Sequence, residues 1–559
     1  MAQTPARPST SVLIVGAGPT GLALAIELGL RNIKTILVER NDRVGYAPRA
    51  KTTHTRTREH LRRWGIADKL AEASPFGIDY PSDVVFTTRL GGYELARFPN
   101  AFNCAPDRND AYSEHAQWIP QYKLEDVMRK HADSLPSVEL RFCQDFVSAR
   151  QDVGGVSVCL RDLVSGEDIE ERADYLVGSD GARSRVRDLI GSKLEGRYGL
   201  SRNYNIVFRA PGLAQAQRHG RAIMYWQLNT DAPSLIGPMD TDDRWFFMPT
   251  GLPPGVSLSD SDAAELIRRS TGIDLPYEIL SRDEWIASQF IADKYRDNRI
   301  FLAGDACHLH PPFGGYGMNM GIADGVDLGW KLAAVISQWG GPGLLDSYVA
   351  ERREVHGQVI AEATSNHAVL ANQLWQPGLE EAGTEGSLAR ASARTAIEQA
   401  KTREFQSLGI VLGYCYTASP VIAYETTPSR SSDVLDYVPS AAPGRRAPHA
   451  WLNERTSLFD LFGQGLTLLA FECSDDTLAA AQRDAHAAGV PLRIVRLARP
   501  DLARIYEASL ALIRPDMHVA WRGERWPGPQ LIDLVSGRSA AAESASCDGR
   551  TKVQEAHPI

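Results

Sequence analysis

SVLIVGAGPTGLALAIELGLRNIKTILVE, residues 11–39, decides how the first part of the chain folds. SVLIV (11–15) is an apolar run of strand length, GAGPTG (16–21) follows without a gap, and LALAIELGL (22–30) has helical composition. KTILV (34–38) is a second strand running into Glu39. Strand, glycine turn, helix and strand form a βαβ unit. Gly16 permits the turn, Gly18 lets backbone reach a pyrophosphate, and Gly21 lets the helix pack closely. Glu39 can accept hydrogen bonds from ribose hydroxyls. A lone GxGxxG is a weak signal, but in this context it reads as a dinucleotide site.

Around this unit the chain has 559 residues, enough for several domains, with 43% hydrophobic and 23% charged residues. A net charge of -9 argues against nucleic-acid binding through phosphate contacts. The seven cysteines stand singly, at 104, 143, 159, 307, 415, 473 and 547, which reads as reduced thiols in a cytoplasm. No signal peptide is expected, and no run approaches the roughly 18 apolar residues of a membrane span.

PRAKTTHTRTREHLRRWG (48–65) comes next. Arg56, Arg58, Arg62 and Arg63 read as a solvated helix face, and Arg49 stands in a loop where a phosphate can use it. IPQYKLEDVMR (119–129) starts a helix, with Gln121 near its beginning as a cap or a contact. ADYLVGSDGARSRVR (173–187) is a strand, a turn at Asp180–Gly181 and a helix start, with Asp180 or Ser184 as cap or ligand contact. From 200 to 291 short strands such as YNIVF (204–208), AIMYWQL (222–228) and WFFM (245–248) predict an antiparallel sheet. Its Tyr225, Trp226, Trp245, Phe246 and Phe247 are either a wall for a planar apolar ligand or ordinary core.

The strand RIFLA (299–303) then leads into GDACHLHPPFGGYGMNMGIADGVDLGWKLA (304–333). Two prolines and a cluster of glycines here bring bare backbone toward something flat or charged, before a helix expected from 322 to 339. His308 and His310 flank Leu309 with no accompanying carboxylate at metal-site spacing, so no metal is expected. PSAAPGRRAP (439–448) is the best linker. Beyond it strands and helices alternate as a small α/β domain, and the polar stretch from 536 reads as a disordered tail.

GAGPTG with Glu39, GSDGARSRVR (178–187) and GDACHLHPPFGGYGMN (304–319), in this order, resemble the single-component FAD-dependent aromatic hydroxylases. These share the para-hydroxybenzoate hydroxylase fold. PGRRAPHAWL (443–452), DLFG (460–463) and IRPDMHVAWRG (513–523) are similar to the longer phenol hydroxylase and polyketide-tailoring branch. The resemblance implies a mixed α/β and α+β architecture. A Rossmann-type FAD-binding domain (9–199 and 292–425) would receive an inserted antiparallel-sheet substrate domain (200–291, with pieces at about 76–118). A thioredoxin-like domain (440–535) and the tail (536–559) would follow. Without a CxxC, no dithiol chemistry is expected of that domain.

The resemblance also implies site roles. Gly16, Gly18, Gly21 and Glu39 would hold the AMP half of tightly but non-covalently bound FAD. Arg49 and Gln121 would contact the cofactor further along, Asp180 would touch FAD and the path of NAD(P)H, and Asp305 the ribityl and pyrophosphate region. Pro311, Gly315, Gly317, Met318 and Asn319 would line the isoalloxazine. The implied activity is NADPH- or NADH-dependent insertion of one atom of O2 into a small phenolic or fused-ring aromatic through a flavin hydroperoxide. Where relatives place His or Asp near the substrate, this chain has Lys51, able to stabilise a phenolate or pair with a carboxylate, and Tyr225 is a second candidate. Baeyer–Villiger or epoxidising oxygenases, a flavin oxidase and a non-catalytic flavin scaffold are the rival readings. A halogenase is disfavoured by the lack of a WxWxIP stretch. Neither nucleic acid nor membrane is an expected partner, and the reading leaves room for a homodimer.

Overall fold

The computed structural model describes residues 10–42, 50–241, 243–253, 255–426 and 433–539. Arg49 and most of the expected tail lie outside these residues. Three large sheets organise the described chain, beside a two-stranded pair of Thr52–Thr53 and Gln117–Trp118. The first carries the parallel strands Val138–Phe142, Thr35–Glu39, Thr10–Val15, Asp168–Gly178 and Ile300–Leu302, in that spatial order. The chain therefore returns to its first sheet only after the long middle excursion.

The helix Pro19–Gly29 and the helix Tyr316–Ile336 lie against each other over this sheet. Glycine explains how close they come. A Cβ at Gly325 would lie 2.7 Å from the Thr20 carbonyl oxygen, and one at Gly329 would lie 2.5 Å from Glu27 Cβ. With Gly321, these residues repeat every four positions and put one bare face on the Pro19 helix. The Tyr316 helix begins six residues before its expected start at 322 and ends at 336; of its packing glycines only Gly321 lies in the stretch that read as loop.

The second sheet has the spatial order His308–Leu309, Glu278–Ala292, Leu194–Arg209, Arg244–Pro249, Ser234–Pro238, Met224–Gln227, Val84–Thr87, Glu94–Phe98. It is antiparallel except for the parallel pair Met224–Gln227 and Val84–Thr87. Its edge strand, His308–Leu309, belongs to the glycine-rich loop, which leaves the first sheet at Leu302 and reaches the second six residues later. That loop is thus hydrogen-bonded to both sheets.

The third sheet orders Leu492–Arg496, Leu466–Ala470, Leu510–Ile513, Val519–Gly523, with helices Asp475–Ala487, Pro500–Tyr506 and Pro529–Val535, a thioredoxin-like arrangement. Its apolar core is continuous with Trp330, Ala334 and Leu344 of the preceding helices and with Trp339 between them.

Three sequence expectations need correction here. Arg56 and Arg58 are not a solvated face: they are 4% and 2% exposed, and Arg58 pairs with Glu114 at 2.7 Å. The 439–448 segment is not a loose linker, because Gly444 N and Ala447 N donate to Val519 O and Met517 O and Arg446 is buried against Glu59. The tail does not begin at 536, since Ser536 O and Gly537 O accept from Gly341 N and Gly343 N.

Candidate active site

The three motifs meet around the start of the Pro19 helix. Ser179 Oγ donates to Val15 O and Gly16 O at 2.9 and 3.0 Å, laying the 178–181 turn on the first glycine turn. From the other side, a Cβ at Gly304 would lie 2.4 Å from Thr20 Oγ1. Gly16 has φ +104°, which demands glycine, and a Cβ at Gly21 would lie 2.0 Å from Gly16 O. Gly18 differs, since a Cβ there would meet nothing within 4 Å. Gly18 is also the N-cap of the Pro19 helix, and no side chain caps it. An uncapped N-terminus behind a bare glycine suits an anionic pyrophosphate. Glu39 is held beside it, accepting from Ala17 N at 3.0 Å and Asn41 N at 2.9 Å.

The second uncapped N-terminus is that of the Tyr316 helix, with Gly315 as N-cap at φ +70°. Met318 is half-buried against the core beneath the first sheet, Pro311 is buried, and the nearest atom to a Cβ at Gly317 would be 3.9 Å away. The chain thus has two open helix N-termini on helices that meet through Thr20, a fit for a long two-ended dinucleotide. Asp305 is exposed next to Gly304.

Several expected contact residues spend their side chains on the protein. Asn319 Oδ1 accepts from His54 N at 2.8 Å and Thr57 Oγ1 at 2.7 Å, while Nδ2 donates to Thr52 O at 2.9 Å and Gly315 O at 2.7 Å. That side chain pins the loop to the 52–57 segment and leaves only backbone to face a ligand. Gln121 Oε1 accepts from Ala50 N at 3.1 Å, and its Nε2 donates to Glu125 at 2.7 Å. Asp180 accepts from Ser184 Oγ at 2.5 Å and Arg185 N at 2.8 Å, so its carboxylate serves the start of the helix Arg185–Leu189, where Ser184 is the cap. Sequence reasoning missed His54, whose Nε2 lies 2.9 Å from Gly314 O. Burial lowers its pKa to about 4, against the rise from the Gly314 bond. The neutral ring then donates from Nε2.

His308 has a carboxylate partner after all, about two turns into the following helix. Asp324 Oδ2 lies 2.8 Å from His308 Nε2 and accepts from Gly304 N at 3.0 Å, while Oδ1 pairs with Arg352 Nε at 2.7 Å and His356 Nε2 at 2.9 Å. Burial pushes the Asp324 carboxyl up, but His356, Arg352 and His308 outweigh it and hold it well below the usual carboxylate range. Both oxygens are fully shared out.

The predicted aromatic wall is split by the alternation of the strands. Trp226 and Phe246 share one apolar cluster with Phe313 of the glycine loop. Tyr225, Trp245 and Phe247 lie in the cluster on the opposite face. Tyr225 is therefore not brought to the loop: its hydroxyl donates to Gly220 O, and burial raises its pKa. Lys51 is brought there. Its Nζ stands 4.1 Å from the Phe246 ring centroid, and its neighbour Thr52 lies against Gly315. Burial lowers the Lys51 pKa to about 8. A second ammonium, which the sequence did not flag, is Lys401, 4.3 Å from the Trp226 centroid and paired with Glu404 at 2.8 Å.

Comparison with known proteins decides the family. The FAD binding domain family matches residues 9–363, and the aromatic-ring hydroxylase C-terminal family matches 440–543. The chain belongs to the FAD-dependent aromatic hydroxylases. A putative polyketide hydroxylase of Streptomyces halstedii is 32% identical over 92% of this chain and 93% of its own. Phenol 2-monooxygenase of a Pseudomonas strain is 31% identical over 94% and 92%. The rebeccamycin biosynthetic enzyme RebC, solved with reduced flavin, superposes with a TM-score of 0.88 at 34% identity, covering 96% of this chain and all of that one. The hydroxylase is thus an FAD-dependent monooxygenase using NAD(P)H, with the architecture that its three motifs imply. Among the described residues no helix is long and apolar enough to cross a membrane.

Proposed function

We propose that this hydroxylase holds FAD extended between the uncapped N-termini of its Pro19 and Tyr316 helices and oxygenates a planar phenolic or fused-ring aromatic laid on the Trp226–Phe246 face. Glu39 would take the adenosine ribose, Gly18 and the Pro19 helix the pyrophosphate, Asp305 the ribityl side, and backbone of 311–317 the flavin ring. Bound FAD, once reduced by NAD(P)H, supplies the activated oxygen. Everything else falls to the chain. Helix N-termini favour nearby negative charge by about 0.3–1 kcal/mol, somewhat more when buried, which suits an electron-rich reduced ring.

The position of Lys51 carries the substrate reading. Its ammonium stands over Phe246 on the sheet face that carries Phe313 of the glycine loop, and among the described residues no carboxylate pairs with it. An ionised phenol is far more electron-rich than a neutral one, and Lys51 can hold that oxygen as phenolate. Because its pKa falls to about 8, Lys51 is charged at neutral pH and regains stability when an anion arrives.

A panel of phenols and polycyclic quinols tests this with FAD-loaded protein, following NADPH and NADH oxidation, oxygen uptake and peroxide release together. A matching substrate couples oxidation to one labelled oxygen atom in the product. Lys51→Met should lower kcat/KM for phenols at least tenfold. An unchanged rate and pH profile would remove Lys51 from the reaction. We place the enzyme in the cytoplasm, where NAD(P)H is replenished and the six described cysteines remain free.

A further inference from the structure

The glycine loop contributes little rigidity of its own, with Gly304, Gly314 and Gly315 all at positive φ. Its position must be set from outside. Each end is held by a different partner: Asp324 takes Gly304 N and His308 at its start, and Asn319 ties its end to 52–57. Both partners lead to the same hairpin tip in the C-terminal domain.

Along one face of the Tyr316 helix stand Asp324, Asp327 and Lys331, each buried. The helix Pro342–His367 meets them with Glu351, Arg352 and His356. Arg514, between Leu510–Ile513 and Val519–Gly523, reaches into this row and is 1% exposed. Its guanidinium donates to Glu351 Oε1 at 2.6 Å, to Asp327 Oδ1 at 3.1 Å and to Asp516 Oδ2 at 2.6 Å. Arg352, next to Glu351, donates to Asp324 and to Met320 O in the first turns of the Tyr316 helix. The same hairpin tip receives Arg56 on Asp516 O, at 2.5 Å, from the helix Thr55–Arg63. That helix carries Thr57, which holds Asn319.

We propose that Arg514 is a positioning residue for the flavin-facing loop, and that the C-terminal domain is through it part of the redox apparatus. The proposal rests on the reading that 311–317 faces the flavin ring. A buried set of this many charges is poor value for stability alone, since apolar residues of similar volume would serve as well. What it supplies is register: a guanidinium forked between carboxylates from two helices and its own hairpin fits in one arrangement. The field of a helix N-terminus falls off within a turn, so a small displacement of Gly315–Tyr316 alters how strongly the reduced ring is stabilised.

The test uses full-length, FAD-loaded Arg514→Gln and Arg514→Lys. Arg514→Gln should make the flavin potential more negative, shift the visible flavin spectrum and raise peroxide leakage severalfold, with the KM for the aromatic substrate within twofold. Arg514→Lys should recover part of each change. A folded Arg514→Gln with parental potential, spectrum and leakage overturns the proposal. Should Arg514→Gln not fold, Asp516→Asn is measured instead: a smaller change in the same direction supports the proposal, and none overturns it. Gly317→Ala separates the two readings. A shifted spectrum there, with Arg514 silent, leaves the loop at the flavin and removes only Arg514, whereas an unmoved spectrum removes the loop.

Discussion

Lys51 is placed where function and stability disagree. In the unfolded chain it titrates near the ordinary value of 10.5, and in the folded protein burial brings it to about 8. Between these values the unfolded chain binds more protons, so the Lys51 contribution to stability improves as pH rises through that window. Below pH 8 the full penalty for a desolvated ammonium remains. Lys51→Met should therefore raise the melting temperature of the FAD-free protein at pH 7, with the gain vanishing toward pH 10.5, while phenol turnover falls. Melting curves from pH 6.5 to 10.5 decide it, and a destabilised Lys51→Met at pH 7 would show that the ammonium has a partner that stabilises it. Asn319 should behave oppositely. Asn319→Ala leaves two buried donors and two buried carbonyls without their partner, each costing about 1–3 kcal/mol. A loss of at least about 3 kcal/mol in urea unfolding is expected.

At the scale of elements, two glycines separate folding from binding. Gly325 faces backbone of the Pro19 helix, where a Cβ would lie 2.7 Å from Thr20 O and 2.9 Å from Leu24 N. Gly18 faces open space at an ordinary φ of -72°. Gly325→Ala should push the two helices apart and lower the melting temperature even without FAD. Gly18→Ala should fold normally and lose FAD affinity at least tenfold in a fluorescence titration, because its methyl points where a pyrophosphate would lie. Normal FAD affinity in Gly18→Ala would move the pyrophosphate elsewhere. The βαβ unit was legible in the sequence because its signals are local: strand, glycines, helix and Glu39 all fall within 11–39. The Tyr316 helix was read six residues late because Gly317 and Gly321 look like turn residues, although Gly321 packs on Thr20 inside the helix. Trp226 and Tyr225 are adjacent residues of one strand, and only knowing which sheet face meets Phe313 tells wall from core. Asp324 is 16 residues from His308, and no period links a loop histidine to a carboxylate about two turns into the next helix.

Over the whole molecule, sequence distance hides what joins the parts. Arg446 and Glu59 are 387 residues apart, and their charged groups are 1% and 0% exposed. Glu59 sits on the Thr55 helix, one turn beyond the residues that hold Asn319, and also accepts from Ser113 N at 3.1 Å. The apolar core adds to this link, running unbroken from Trp330 through Leu468 and Leu512. The C-terminal domain should therefore not unfold separately. One transition is expected whether unfolding is followed by tryptophan fluorescence or by FAD release. Arg446→Met takes the nearer cation from the buried Glu59 carboxylate, leaving it Arg56 at 3.7 Å and Ser113 N, and should cost about 3 kcal/mol, shifting that single transition without dividing it. Adding Glu59→Gln removes the under-paired charge, so the double variant should regain part of the loss, since a buried ion pair adds little over a neutral packing of the same volume. Two separated transitions in the parent, or a double variant no more stable than Arg446→Met, would instead make the C-terminal domain an appended unit whose contacts with the flavin-side helices are incidental.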